Sequence, residues 1–285
     1  MKKIFVLFLL SLFLFGMKAF AEVTNNTDWT NATSVSRVNT IGKNLLGKNN
    51  LPTNITFKII ESDDINAYAN GENELCVFTG LLKYVTDDTE LAGVIAHEIG
   101  HILNNHVAKQ SIFNAFSATL INNANINQNI KTGAAIAQNL SMKKMSRNEE
   151  SEADVTAVDL MVKAGYNPLA MVSVLYKISG NYVDFFEDHP SGDKRTMYIY
   201  NYISYTYPDI AKKGYNSDSY KQFMQYASPI VAQRNSSPYL ANKFNKEQAE
   251  LKAKRIKKLQ KYQNSENDFG WRASYTMLKA LTGSN

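Results

Sequence analysis

The chain has 285 residues, 44% of them hydrophobic and 20% charged, which is enough for one large or two modest domains and excludes wholesale disorder or a collagen-like repeat. The formal charge of +5 is no sign of a polyanion partner: without Lys2, Lys3 and Lys18 of the leader, 28 basic residues face 26 acidic ones, a balance of +2. No nucleic-acid partner is therefore expected. The lone cysteine, Cys76, excludes an intramolecular disulfide framework and any cysteine-rich zinc module.

Residues 1–21 have the three parts of a secretory signal peptide. Lys2 and Lys3 form the charged start, Ile4 to Phe15 is apolar except for Ser11, and Ala19-Phe20-Ala21 offers small residues for cleavage before Glu22. The apolar run is short against the roughly 20 residues a membrane span needs. No cysteine follows the leader, so no lipid anchor is expected, and the compartment predicted is the periplasm. Gln110 to Ile130 lacks charge, but seven side-chain amides between Asn114 and Asn129 make it a poor span.

Along the mature chain, a short helix is predicted near Val38 to Leu46. Strands follow at Ile55 to Ile60, Asn66 to Ala69 and Leu75 to Thr79, with Asn70-Gly71 as a turn between the last two. Asp87 and Glu90 have the spacing of a capping box opening a helix from Leu91 to Ala108. A second helix runs from Arg147 to Lys163 and stops at Gly165. A third follows Asn167-Pro168 through about Ile178, and a fourth covers Arg195 to Ile203. Phe244 to Tyr262 and Trp271 to Leu281 read as helices of a solvated tail, with partner binding the sharper reading. Strands first and helices after predict an α+β class. The organisation expected is a signal peptide at 1–21, a catalytic domain at 22–205 and a helical tail at 206–285.

Two of the four histidines lie in His97-Glu98-Ile99-Gly100-His101, inside a predicted helix. Residues four apart lie about 40° from each other on a helix, so both imidazoles face one way and can grip one metal ion. Glu98 falls about 100° round from His97, within reach of a water at that metal. Neutral imidazoles suit Zn²⁺. A third ligand is needed, and His106 would stand about 140° round from His101 on a continuous helix. A carboxylate from a second helix is the default, and the run Arg147-Asn148-Glu149-Glu150-Ser151-Glu152-Ala153-Asp154 supplies candidates. Glu150 and Asp154 share a face, but spacing does not choose among Glu149, Glu150 and Glu152.

Ser146-Arg147-x-x-Glu150-x-x-Ala153-Asp154, some fifty residues after His-Glu-x-x-His, resembles the gluzincin peptidases of the CAAX prenyl protease, HtpX and BepA type. The resemblance extends over roughly Leu51 to Tyr200. It takes in Asn66-Ala67-Tyr68-Ala69, Val77 to Leu82, Leu91 to His101 with the later His106, Ala164 to Pro168, and His189-Pro190 with Arg195. It implies a zincin fold of gluzincin type, mainly helical with a small N-terminal sheet. It implies one Zn²⁺ held by His97, His101 and Glu150, with Asp154 behind a ligating imidazole and Glu98 as general base. It further implies that the strand Asn66, Ala67, Tyr68, Ala69 pairs with an extended substrate. His189 and Arg195 become candidates for stabilising the oxyanion or, for His189, for gating the metal.

The chain departs from that family in lacking the intramembrane helices of the prenyl proteases and recognisable C-terminal repeats of the BepA kind. The expectation is a periplasmic zinc endopeptidase acting on unfolded or unassembled envelope proteins, with an envelope partner a candidate for the tail. A non-catalytic zinc-binding chaperone or scaffold is the alternative. Covering of the zinc by His189 and the Gln110 to Asn139 segment is a further expectation.

Overall fold

The computed structural model describes residues 32–51, 54–70, 73–107, 147–179 and 193–263. The leader, the Gln110 to Asn139 segment, His189 and the predicted helix Trp271 to Leu281 lie outside the described residues.

The first helix, α1 (Ala32–Lys48), buries Val38, Ile41, Gly42, Leu45 and Leu46, a stripe of helical period. It is longer than predicted because its first two turns carry no apolar stripe. They are tied down instead by Arg37, whose Nε donates to Asp88 Oδ1 at 2.6 Å and Nη2 to the Val85 carbonyl at 3.1 Å. Three strands follow: β1 (Thr56–Ile60), β2 (Ala67–Ala69) and β3 (Glu74–Phe78). The sheet order is β1-β3-β2, with β1 parallel and β2 antiparallel to β3. The central strand buries Leu75, Cys76 and Val77 in succession, as a strand covered on both faces does. Cys76 is thus a small buried core residue. β2 is an edge.

After the one-and-a-half-turn α2 (Thr79–Tyr84), the chain enters α3 (Asp88–Leu103), whose residues Glu90 to Ile102 are all buried. A helix apolar all round must be packed on all sides. α1, β2 and α5 (Leu169–Ser179) surround it, and α4, the helix at 147–163, crosses it at Gly100. Two glycines on α3 permit these approaches. A Cβ on Gly93 would lie 3.2 Å from Met171 Cα, and one on Gly100 would lie 2.8 Å from the Ala153 carbonyl oxygen. Gly165, with φ +86°, ends α4 in the left-handed conformation.

Only half of the expected capping box forms. Asp87 Oδ1 accepts from the backbone N–H groups of Thr89 (2.7 Å) and Glu90 (2.9 Å), and from the Tyr215 hydroxyl at 2.8 Å. The Glu90 carboxylate does not reach back. It turns into the core and accepts from Ser173 Oγ at 2.6 Å, which in turn meets Ser217 Oγ at 2.6 Å. Desolvation pushes the Asp87 pKa up, but these bonds outweigh it and hold the carboxyl below its ordinary value. Asp87→Ala should therefore cost about 1 kcal/mol of stability at pH 7. Because the folded pKa is the depressed one, this contribution is complete above the ordinary value of about 3.9 and fades as the pH falls through the folded value. Urea unfolding at pH 7 should separate variant from wild type, and the gap should shrink as the pH is taken below the ordinary carboxylate range. A gap unchanged with pH would remove the carboxylate from the account.

The remaining helices are α6 (Asp193–Thr206), α7 (Pro208–Lys213), α8 (Asp218–Ser236) and α9 (Pro238–Gln263). A solvated tail was expected after residue 205. Instead α8 packs on α5 and buries Tyr220, Phe223 and Ala227 in the same apolar cluster as Val38 and Ile95. Phe223 sits among Tyr176, Tyr200 and Tyr220, with ring centroids 5.4–6.3 Å apart. From α9, Arg255 reaches Asp159 on α4 at 3.4 Å, where the hydroxyls of Tyr202 and Tyr207 also donate at 2.8 Å. One helix, then three strands, then helices to residue 263 give a mainly helical α+β class with a small sheet, as predicted. No helix among the described residues is long and apolar enough to cross a membrane.

Candidate metal centre

The buried α3 carries His97 and His101 one turn apart, and α4 brings Glu150 across to them. The two Nε2 atoms stand 3.0 Å from each other. Glu150 Oε1 lies 3.1 Å from His101 Nε2, and Oε2 lies 3.4 Å from His97 Nε2. All three side chains are buried. Donors of a tetrahedral ion with bonds of 2.0–2.1 Å stand about 3.3 Å apart. The three observed separations therefore fit one small ion, and the donor set of two imidazoles and one carboxylate suits Zn²⁺ with a fourth position left for chemistry. Glu98, 1% exposed, is on the same helix as both histidines.

Behind these ligands stands a second set of charges. Asp154, one turn along α4 from Glu150, has Oδ1 at 3.0 Å from His97 Nδ1. An imidazole that binds metal through Nε2 keeps its proton on Nδ1, and this carboxylate is placed to receive it. Arg195, at the start of α6, forks onto Asp154 with both Nε and Nη2 at 2.7 Å and places Nη1 2.8 Å from Glu150 Oε2. Desolvation raises the Asp154 pKa, but Arg195 and His97 outweigh it and hold the carboxyl below its usual range. For His97, burial and the Arg195 charge disfavour protonation, while Glu150 and Asp154 favour it more strongly. Its pKa is pushed up to about 9, so a proton and a metal ion compete for the ring.

A family model described as Peptidase family M48 matches residues 33–202, well over half of the chain. The chain belongs to that family. It is 33% identical over 148 residues to the mitochondrial metalloendopeptidase OMA1 of Arabidopsis thaliana, a match spanning 50% of this chain and 30% of the plant protein. It is 27% identical over 185 residues to the metalloprotease LoiP of Escherichia coli, covering 61% of this chain and 72% of LoiP. To the beta-barrel assembly-enhancing protease of Escherichia coli it is 26% identical over 154 residues, 50% of this chain and 32% of that protein. The M48 match ends before α7, so α7 to α9 lie outside it.

Of the residues singled out in the sequence, this M48 chain brings His97, His101, Glu98, Glu150, Asp154 and Arg195 together in one place. His189 lies outside the described residues. Ala67 to Ala69 form β2, with Tyr68 36% exposed and Asn66 just before the strand. Arg195, implied by resemblance as a candidate oxyanion donor, is turned instead onto Asp154 and Glu150, two carboxylates that would repel each other without it. Sequence reasoning also set His106 aside on angle. That angle holds only if the helix continues, and α3 ends at Leu103. The signal was the Asn104-Asn105 pair, since asparagine readily takes the left-handed conformation that stops a helix.

Proposed function

We propose that this chain is a zinc-dependent endopeptidase of the bacterial envelope that cleaves unfolded or unassembled envelope proteins. The observation that carries the reading is the convergence of His97, His101 and Glu150 beside Glu98. Zinc held by those three residues would supply Lewis acidity, polarising a carbonyl and bringing the pKa of a water towards roughly 7. The Glu98 carboxylate takes the proton from the attacking water and returns it to the leaving amine. Asp154 fixes the His97 tautomer, and Arg195 holds Asp154 and Glu150 in place as a positioning residue. The outer edge of β2 receives the substrate as an added strand, which selects extended chains. His189 keeps its candidate role at the oxyanion or as a gate. The secretory leader expected at residues 1–21 and the similarity to a protease named for beta-barrel assembly support the location and the substrate class.

The test is zinc content together with hydrolysis of an unfolded protein such as casein. Chelation should abolish hydrolysis and zinc should restore it. Glu150→Ala should lower zinc content by about 10-fold or more at limiting metal, while Glu149→Ala should not. A wild-type chain that holds zinc and leaves unfolded protein intact would favour the chaperone or scaffold reading.

A further inference from the structure

Each metal-binding imidazole needs an acceptor for the proton on its other nitrogen. Asp154 serves His97 directly. His101 has a different neighbour: its Nδ1 stands 3.0 Å from Nδ1 of His106, and the Nε2 of His106 stands 3.0 Å from Oε2 of Glu152. His106 is fully buried, and Glu152 is partly exposed.

The chain path is built for this contact. Asn105 takes a left-handed conformation, with φ 58°, directly after α3. The Asn104 side chain donates to the Gly100 carbonyl at 2.7 Å and to Thr156 Oγ1 at 3.0 Å, fastening the turn to α4. His106 is thereby folded back beneath His101, and the two rings meet edge to face with centroids 4.9 Å apart.

We propose that His106 and Glu152 are positioning residues for the metal, acting through His101. This rests on the reading of His101 as a ligand through Nε2. With Nε2 given to the metal, His101 carries its proton on Nδ1, and His106 must present a lone pair there. His106 then carries its own proton on Nε2, where the Glu152 carboxylate accepts it. One imidazole is oriented by a carboxylate directly, the other by a carboxylate acting through a second imidazole. α4 thus supplies four groups: Glu150 to the ion, Asp154 to His97, Glu152 to His106, and Thr156 to the turn.

The full chain should be tested by competition for zinc against a chromophoric chelator, with near-ultraviolet circular dichroism to report folding. His106→Phe should weaken zinc binding by about 10- to 100-fold. Glu152→Ala should weaken it in the same direction. Glu152→Gln, which still offers an acceptor oxygen, should stay near wild type. Replacing zinc by cobalt adds a readout that a merely structural role would not move: the visible absorption of the bound ion should shift in His106→Phe and Glu152→Ala but not in Glu152→Gln. Should His106→Phe fail to fold, the Glu152 pair decides alone: loss in Ala with retention in Gln supports the relay, and equal binding in both overturns it. A wild-type chain that takes up no zinc overturns the metal reading and the relay with it. A wild type that binds while His106→Phe and Glu152→Ala bind equally well overturns the relay alone.

Discussion

Glu98→Gln is expected to take up zinc like the wild type and to hydrolyse unfolded protein about 10²- to 10⁴-fold more slowly, the range a positioned acid–base group supplies. Glutamine keeps the shape of the buried side chain but cannot accept the water's proton at neutral pH. The ligands His97, His101 and Glu150 are untouched, so metal content and unfolding midpoint should not move. The loss should appear in kcat, with KM for a peptide little changed, because the proton moves only on the way to the transition state. Two results would sink the assignment. Wild-type turnover in the variant would remove Glu98 as the base, and loss of zinc would make it part of the ligand set.

Arg195→Met is expected to have the largest effect on stability. Arg195 lies between Asp154, which is 0% exposed, and Glu150, 3% exposed; it hydrogen-bonds the first and forms a 2.8 Å ion pair with the second. Methionine fills much of the volume but leaves two buried carboxylates facing each other without their cation. Breaking a buried pair in this way costs about 3–5 kcal/mol. Arg195→Lys keeps a charge but not the planar fork, so it should fall between wild type and Met. Denaturant unfolding of all three at pH 7 checks the order. A Met variant as stable as wild type would show that the carboxylates find other compensation.

How much of this was legible in the sequence depended on whether the information was local. The period of 3.6 residues put His97 and His101 on one face, and alternation marked β1, because both are properties of short windows. The choice among Glu149, Glu150 and Glu152 depends on how α4 is rotated against α3. That rotation is set by the contact of Gly100 with Ala153, which spacing does not reveal. Arg195 was visible as part of a resemblance, but its fork onto Asp154 joins residues 41 apart. His106 was rightly passed over as a third ligand, but its contact with His101 was missed because a helix was extended through two asparagines that end it. α8 escaped notice because Pro229 lies inside it, and a proline in mid-pattern ordinarily argues for a break. Its buried residues Tyr220, Phe223 and Ala227 have helical spacing all the same.

The connections between the last helices bear on how the proposed peptidase coexists with copies of itself. A protease that accepts extended chains is a hazard to any sister molecule offering one. Between α6 and α7 the link is the single residue Tyr207, between α7 and α8 it is 214–217, and between α8 and α9 it is Ser237. An added strand needs several consecutive residues free of other hydrogen bonding. From 193 to 263 no link exceeds four residues, and backbone bonds tie each junction to the preceding helix, including Tyr207 to Ile203, Gly214 to Ile210 and Ser237 to Arg234. Self-digestion over this stretch would require a helix to unwind first. Its resistance is then set by the stability of the fold rather than by the cleavage preference of the active site, and destabilised variants such as Arg195→Met should be the ones that nick themselves there.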